Sequence, residues 1–285
     1  MSIPIPRAGI VGWPVSHSRS PILHGYWLRK YAIAGSYERI AIAPENFAAT
    51  FRALGAQGFA GVNVTIPHKQ TAMLCCDELD ANAKRLGAVN TILIKEGRFY
   101  GSNTDGFGFM ENLRHGAPDW KPQAGPAIVI GAGGAARAVI AALCDAGVQR
   151  LYLFNRTRAR ADQLADDLGG PIFPRDWTDL SGALADCALL VNCSSLGMLG
   201  QPPLELSLQN LHPHAYVCDL VYTPLITPLL HSAAARGNPT IDGLGMLIHQ
   251  ARPGFAAWFG IMPEADDTLR ALLLADIEGI KGNKA

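Results

Sequence analysis

Ala127-Ile128-Val129-Ile130-Gly131-Ala132-Gly133-Gly134-Ala135-Ala136 decides the architecture of this chain. Four apolar residues in a row suit a parallel strand buried on both faces. The glycines that follow suit a tight turn. The small residues from Ala135 to Ala146, stopped by Gly147, suit a helix. Strand, G-x-G-x-x-A turn and helix, in that order, form the fingerprint of a dinucleotide-binding βα unit. Gly131 permits the turn, Gly133 lets the backbone approach a pyrophosphate, and Ala136 lets helix and strand pack closely. The N–H groups of the helix start, at Gly134 and Ala135, then face the phosphates, with Ala132 in the turn itself. The plain alternative is a turn that uses glycine only for its backbone freedom, and the strand–turn–helix context speaks against it.

Working outward, the next strand is Leu151-Tyr152-Leu153-Phe154, followed by Asn155-Arg156-Thr157-Arg158-Ala159-Arg160. A site for NAD places Asp or Glu here to hold the ribose 2′-hydroxyl. This chain has no carboxylate at that point. Guanidinium groups instead pair with a 2′-phosphate, and a carboxylate would repel it. Arg156 and Arg160, flanked by Asn155 and Thr157, are therefore the expected 2′-phosphate clamp, and NADP(H) the expected cofactor. Arg158 either assists or faces solvent. A bare basic helix start would oppose the helix dipole, and a bound anion removes that conflict. A helix over Ala159–Leu168, closed by Gly169-Gly170, and strands at Leu189–Asn192 and Tyr216–Leu220 complete a doubly wound pattern.

Upstream, strands over Ala8–Gly12, Tyr37–Ile42 and Gly61–Ile66 alternate with helices over Pro21–Lys30 and Pro44–Gly55, which suggests βαβ units. Ser20 is the expected N-cap of the first of these helices. Downstream, a helix begins near Gly245, and Pro253-Gly254 predicts a kink or break in it. Asp266–Ile280 forms the last helix. Block boundaries fall near Asp105 and Asp242.

Composition narrows the partners. The chain has 285 residues, 49% hydrophobic and 17% charged, with a formal net charge of zero. Nothing basic points to nucleic acid, and a small molecule fits better. No segment reaches the about 18 apolar residues of a membrane span, and the N-terminus lacks a signal-type apolar core. The six cysteines form no C-x-x-C pair and suggest buried, reduced thiols rather than a disulfide or metal site. A soluble cytoplasmic protein is expected, and a homodimer is left open.

Two further segments carry chemistry. Asn63-Val64-Thr65-Ile66-Pro67-His68-Lys69 puts a lysine just past a β-type run, and Gly101-Ser102-Asn103-Thr104-Asp105-Gly106 puts an aspartate on a glycine-flanked turn. Brought together, such a pair serves proton transfer: the lysine donates and the carboxylate orients it. Kept apart, both are ordinary solvated side chains. Ser16-His17-Ser18-Arg19-Ser20-Pro21 offers hydroxyls and a helix start to an anion, and capping explains only one of its serines.

These stretches, together with Gly87-Ala88-Val89-Asn90-Thr91 and Asp242-Gly243-Leu244-Gly245-Met246-Leu247 with Gln250, resemble the shikimate dehydrogenase family over nearly the whole chain and in the family's order. The resemblance implies an α/β fold of two domains with a cleft between: a substrate domain from 1–104 plus 243–285, and a Rossmann NADP-binding domain from 105–242. It implies that Ser18 and Ser20 hold a substrate carboxylate, with Tyr222 nearby. Thr65, Asn90, Asp105 and Gln250 would bond ring hydroxyls. Lys69 with Asp105 would be the catalytic pair for reversible reduction of 3-dehydroshikimate to shikimate. Gly243, Gly245 and Met246 would flank the nicotinamide. Asn192-Cys193-Ser194-Ser195 stands where the family often has Asn-Ala-Thr-Ser, and the hydroxyl at Ser194 preserves a hydrogen bond. Two alternatives follow from the same features: a quinate/shikimate dehydrogenase of broader specificity, and a non-catalytic sensor of NADP and a cyclohexene acid. Retention of both Lys69 and Asp105 argues against the sensor.

Overall fold

Alternating strands and helices build two separate sheets. The structure, a computed structural model, describes residues 5–282; the first four and last three residues, at the outer edges of the expected substrate domain, lie outside the described residues. The chain folds as two units, one of residues up to Thr104 with Gln250–Glu278, the other of Asp105–His249.

The first unit contains β1 (Arg7–Gly12), α1 (Ser20–Lys30), β2 (Ser36–Ala41), α2 (Phe47–Ala53), β3 (Phe59–Val64), α3 (Lys69–Leu74), β4 (Glu78–Leu79), α4 (Ala81–Leu86), β5 (Thr91–Lys95) and β6 (Arg98–Ser102). Its sheet runs β2-β1-β3-β5-β6-β4. β1 lies parallel to β2 and β3, as the alternating pattern predicts. β5 turns the sheet antiparallel and forms a hairpin with β6. Its two-residue turn, Glu96-Gly97, takes left-handed φ values of 54° and 76°. That geometry matches the twist of the flanking strands, but it usually announces itself as Asn-Gly or Asp-Gly. Glutamate at the first position hides the hairpin in the sequence.

Two local expectations change. Ser20 does not cap α1; it is the first helical residue, and Arg19 occupies the cap position with helical φ/ψ. The chain turns helical one residue early, and the Ser18 hydroxyl accepts the Ser20 N–H at 3.3 Å. The single helix expected over Pro44–Gly55 divides into a 3₁₀ turn, Pro44–Asn46, and α2.

The second unit contains α5 (Asp105–Gly116), β7 (Ala127–Ile130), α6 (Gly134–Asp145), β8 (Leu151–Phe154), α7 (Arg158–Leu168), β9 (Ile172–Arg175), α8 (Leu180–Ala183), β10 (Leu189–Asn192), β11 (Tyr216–Asp219), α9 (Pro228–Ala235) and β12 (Thr240–Ile241). All six strands are parallel, in the order β12-β11-β10-β7-β8-β9. Side chains alternate strictly between two cores. Ala127, Val129, Leu151, Leu153, Leu189 and Val191 enter one. Ile128, Ile130, Phe154, Leu190 and Val217 enter the other. Burial on both faces explains why these strands read as unbroken apolar runs. Strand order reverses between β7 and β10, which opens a crevice at their carboxyl ends. Asp105 opens a helix instead of sitting on a turn, and Gly106 lets α5 lie close to the Ala138 carbonyl of α6.

Two helices complete the chain, α10 (Leu244–Phe259) and α11 (Asp267–Gly282). Pro253 does not break α10. The proline removes one backbone bond, and burial of Ala251, Phe255 and Trp258 around it outweighs that loss. The two units divide within α10, after His249, and not at the Asp242–Gly243 boundary expected from sequence. The reason is packing: Leu244 is fully buried and Met246 packs on the core of the second sheet. Asp242 caps the start of α10 through Leu244 N–H, and Asp266 caps α11 through Leu269 N–H. Among the described residues no helix is long and apolar enough to cross a membrane.

Gly61 is the tightest glycine of the first sheet. The Trp258 indole lies over its backbone and donates to the Ile92 carbonyl at 2.9 Å, in the space a methyl group would need. Gly61→Ala should therefore cost about 1–3 kcal/mol through overpacking. Thermal unfolding checks this, and an unchanged Tm would contradict it.

Candidate functional site

The carboxyl ends of β7, β8 and β10 meet at Gly131. Its N–H donates to the Phe154 carbonyl at 2.8 Å, and Cys193 N–H donates to the Ile130 carbonyl at 2.8 Å. Gly131 has φ +110°, and a Cβ there would come within 3.1 Å of the Cys193–Ser194 peptide. Only glycine meets both demands. Beyond it, Gly133 and Gly134 face open space. Gly133 occupies the N-cap of α6, and no side chain caps that helix. The N–H groups of its first turn, through Ala135, are thus left for an external acceptor such as a phosphate.

A cavity of about 650 Å³ adjoins this turn. It is lined by Gly131, Asn155, Arg156, Thr157 and Arg160 from the expected cofactor set, and also by Trp177, Ser194, Ser195 and Glu205. Arg156, Thr157 and Arg160 are exposed at the start of α7, and Asn155 ties the bend by donating to the Thr157 carbonyl at 2.8 Å. Arg158 turns elsewhere, into ion pairs with Asp162 at 2.8 Å and Asp176 at 3.0 Å. Of the two roles left open for Arg158, the structure shows the solvent-facing one. The residues present therefore suit a dinucleotide bearing a 2′-phosphate. Glycines leave room for the pyrophosphate, and two exposed guanidiniums stand where a ribose carboxylate is absent.

Gly243 and Met246 are not among the lining residues of this cavity. Gly243 is buried against the backbone of Asp219 and Leu220, where a Cβ would lie 3.0 Å from the Asp219 carbonyl. Close packing alone therefore requires a glycine there. Tyr222 sits half-buried on the segment after β11.

Sequence reading passed over the side chains that hold the cavity wall. Asn192 ends β10 and Asp219 ends β11, both fully buried. Asn192 Nδ2 donates to Asp219 Oδ1 at 3.0 Å and to the Leu196 carbonyl at 3.1 Å. Its Oδ1 accepts from the Ser194 hydroxyl at 2.7 Å. Asp219 also accepts Val221 N–H at 3.0 Å and the Thr227 hydroxyl at 2.7 Å. Burial pushes its pKa up to about 6, against the opposing pull of these hydrogen bonds. The available signal was a polar residue ending an apolar strand, which must find partners when buried.

A second polar cluster lies in the first unit. Asn90 is buried before β5, and its Oδ1 accepts Thr104 N–H at 2.9 Å and the hydroxyls of Thr91 and Thr104, each at 3.1 Å. Its Nδ2 faces Gln250 Oε1 at 3.4 Å, and the Thr104 hydroxyl also lies 2.8 Å from the Gln250 carbonyl. Asn63, inside β3, donates to the Asn90 carbonyl and to Thr91, and accepts the Tyr37 hydroxyl at 2.7 Å. The Tyr37 phenol stacks on His24, which burial holds neutral with a pKa pulled down to about 3. Tyr37 is thus linked to Asn90 through Asn63, and no role was expected of either from sequence. Lys69 opens α3 half-buried, and its carbonyl accepts Val89 N–H at 3.0 Å. Thr65 and Ser18 are half-buried on the segments that follow β3 and β1.

Known proteins match this arrangement. Three family models cover the chain: the shikimate dehydrogenase substrate binding domain at residues 10–92, shikimate / quinate 5-dehydrogenase at 120–198, and the shikimate 5′-dehydrogenase C-terminal domain at 243–273. The shikimate dehydrogenase (NADP(+)) of Paramagnetospirillum magneticum is 56% identical over 269 residues, covering 94% of this chain and 98% of its own. The Thermus thermophilus shikimate 5-dehydrogenase, solved with NADP(H) and shikimate, superposes with a TM-score of 0.85 at 37% identity, over 95% of this chain and 100% of its own. The Corynebacterium glutamicum quinate dehydrogenase, solved with NAD, gives 0.88 at 31% identity, over 95% and 99%. On this matching of sequence and fold, the chain belongs to the shikimate dehydrogenase family.

Proposed function

We infer that the protein is an oxidoreductase that carries out the NADPH-dependent, reversible reduction of 3-dehydroshikimate to shikimate, a step toward chorismate and the aromatic amino acids. One observation carries the reaction assignment. Lys69 and the residue before Asp105 are both tied to the Val89-Asn90 segment, through the Lys69 carbonyl and the Thr104 N–H. The segments that carry the proton donor, the carboxylate and a hydroxyl-binding amide are therefore joined at Val89-Asn90. The name of the Paramagnetospirillum relative supports the substrate and the coenzyme.

Bound NADPH supplies the hydride. The Lys69 ammonium gives a proton to the carbonyl oxygen as negative charge develops on it. Asp105 orients Lys69 and accepts a hydrogen bond from a ring hydroxyl. Ser18 and Ser20, with Tyr222, hold the substrate carboxylate, and Thr65, Asn90 and Gln250 bond the remaining hydroxyls. Residues 1–104 with the chain from Gln250 form the substrate domain, and residues 105–249 the cofactor domain. Gly131–Ala135 cradle the pyrophosphate. Asn155, Arg156, Thr157 and Arg160 hold the 2′-phosphate, and Gly243 and Met246 border the nicotinamide end. We place the enzyme in the cytoplasm, where six cysteines without a C-x-x-C pair stay reduced. A homodimer is open to light scattering of the purified protein.

The direct assay is absorbance of NADPH formed from NADP⁺ and shikimate by the purified protein. Lys69→Ala should lower kcat by about 10²–10⁴-fold while leaving NADPH affinity intact. Turnover at the wild-type rate would remove Lys69 from the mechanism. Replacing both Arg156 and Arg160 by alanine should raise KM for NADPH by about 10–100-fold and leave KM for NADH nearly unchanged, because only NADPH carries the 2′-phosphate. Equal losses for both coenzymes would refute the clamp. The ratio of kcat/KM for shikimate over quinate, measured with each coenzyme, separates a shikimate enzyme from a quinate-preferring one.

A further inference from the structure

We propose that Asp219 is a positioning residue for the cofactor: its carboxylate ties the segment after β10, a wall of the nucleotide cavity, to the segment after β11, so that nucleotide affinity depends on that tie. The proposal rests on the reading of this cavity as the NADP(H) site.

The carboxylate is fully buried and has three partners, all neutral. Asn192 carries its effect to the wall. The same amide that donates to Asp219 also donates to the Leu196 carbonyl, and its oxygen accepts both the Ser194 N–H and the Ser194 hydroxyl. Ser194, Ser195 and Leu196 line the cavity. On the other side, Val221 and Thr227 bracket the segment that carries Tyr222. Thr227 is also the N-cap of α9, where its hydroxyl accepts Leu230 N–H at 3.3 Å.

An uncharged residue would be the cheaper choice for stability. Burial disfavours the carboxylate and lifts its pKa to about 6. A carboxyl group whose pKa is raised on folding binds its proton more tightly in the folded state. Its contribution therefore favours folding at low pH and is withdrawn as pH rises through about 6. Binding should run the other way, because only the carboxylate accepts from all three partners without turning the Thr227 hydroxyl around. Asparagine accepts from Asn192 and Val221 only if its NH₂ group faces Thr227, whose hydroxyl, already accepting Leu230 N–H, must then accept it and turn its own proton away. The tie is then weakened at the Thr227 end or, with the amide reversed, at the Asn192 end. Titratable neighbours leave this logic intact. Cys193, after β10, and Cys218, on the same strand, are held neutral by burial, which pushes both thiols up. Asp242, beyond β12, acts on Cys218, and α9 contributes only the exposed His231. β7 and β12 contribute no titratable side chain.

Steady-state kinetics and thermal unfolding of wild type and Asp219→Asn, from about pH 5 to 8, test the proposal. At pH 7 the variant should show a KM for NADPH raised about tenfold, a smaller rise in KM for shikimate through the Tyr222 segment, kcat at saturating substrates little changed and Tm equal or higher. Wild-type KM for the coenzyme should rise as pH falls through about 6, and the variant should lack that inflection. The 2′-phosphate itself titrates near pH 6, so the series is repeated with NADH, which has none. Wild-type KM for NADH without an inflection overturns the proposal even if the variant fails to fold. So does a variant whose KM for NADPH equals that of wild type, or one in which Tm and both KM values worsen together. Failure of wild type to bind NADPH at all overturns the functional reading, and this inference with it.

Discussion

A polar side chain at the end of a buried strand must find its partners inside the protein, because leaving a donor or acceptor unpaired costs more than a hydrogen bond gains. Both units are organised by that constraint. Asn192 and Asp219 end β10 and β11 with no exposure, and Asn63 and Asn90 occupy the corresponding role around β3 and β5. Besides one another and strand residues such as Tyr37 and Thr91, their partners are the irregular segments that leave the strand ends, and in this way loops acquire a fixed shape without secondary structure of their own.

The two clusters differ in what they hold. In the parallel sheet, the Asn192–Asp219 pair shapes the edge of a crevice that strand order creates between β7 and β10. Gly131 completes it by letting the turn after β7 lie against the Cys193–Ser194 peptide. That end is then made of backbone, which is rigid and carries no titrating group. In the mixed sheet, Asn90 gathers Thr91, Thr104 and Gln250 around one carboxamide. That end is made of side chains, which suits discrimination among hydroxyl patterns because an analogue lacking one leaves a buried group unpaired.

Much of this was legible before folding. β7, β8 and β10 matched their apolar runs, because burial on both faces removes any need for polar alternation. The absence of an acid at the end of β8 was legible because it is a local fact. The β5–β6 hairpin was not legible, since its left-handed turn begins with Glu96. Nor was the continuity of α10 through Pro253, which depends on how deeply Phe255 and Trp258 are buried. Tyr37 and Asp219 escaped notice for the same reason: each looks ordinary until its neighbours, 26 and 27 residues away, are known.

By itself, then, the sequence determined the doubly wound pattern and the glycine turn, since each is written in runs of consecutive residues. Only the tertiary structure decided which polar side chains brace those features. Asn63 reaches Tyr37 and Asn90, and Asp219 reaches Asn192 and Thr227, through space and not along the chain. Hydrophobic periodicity reports which face of an element is buried. It carries no record of which buried donor meets which acceptor, and that pairing is settled only when the strands come into register.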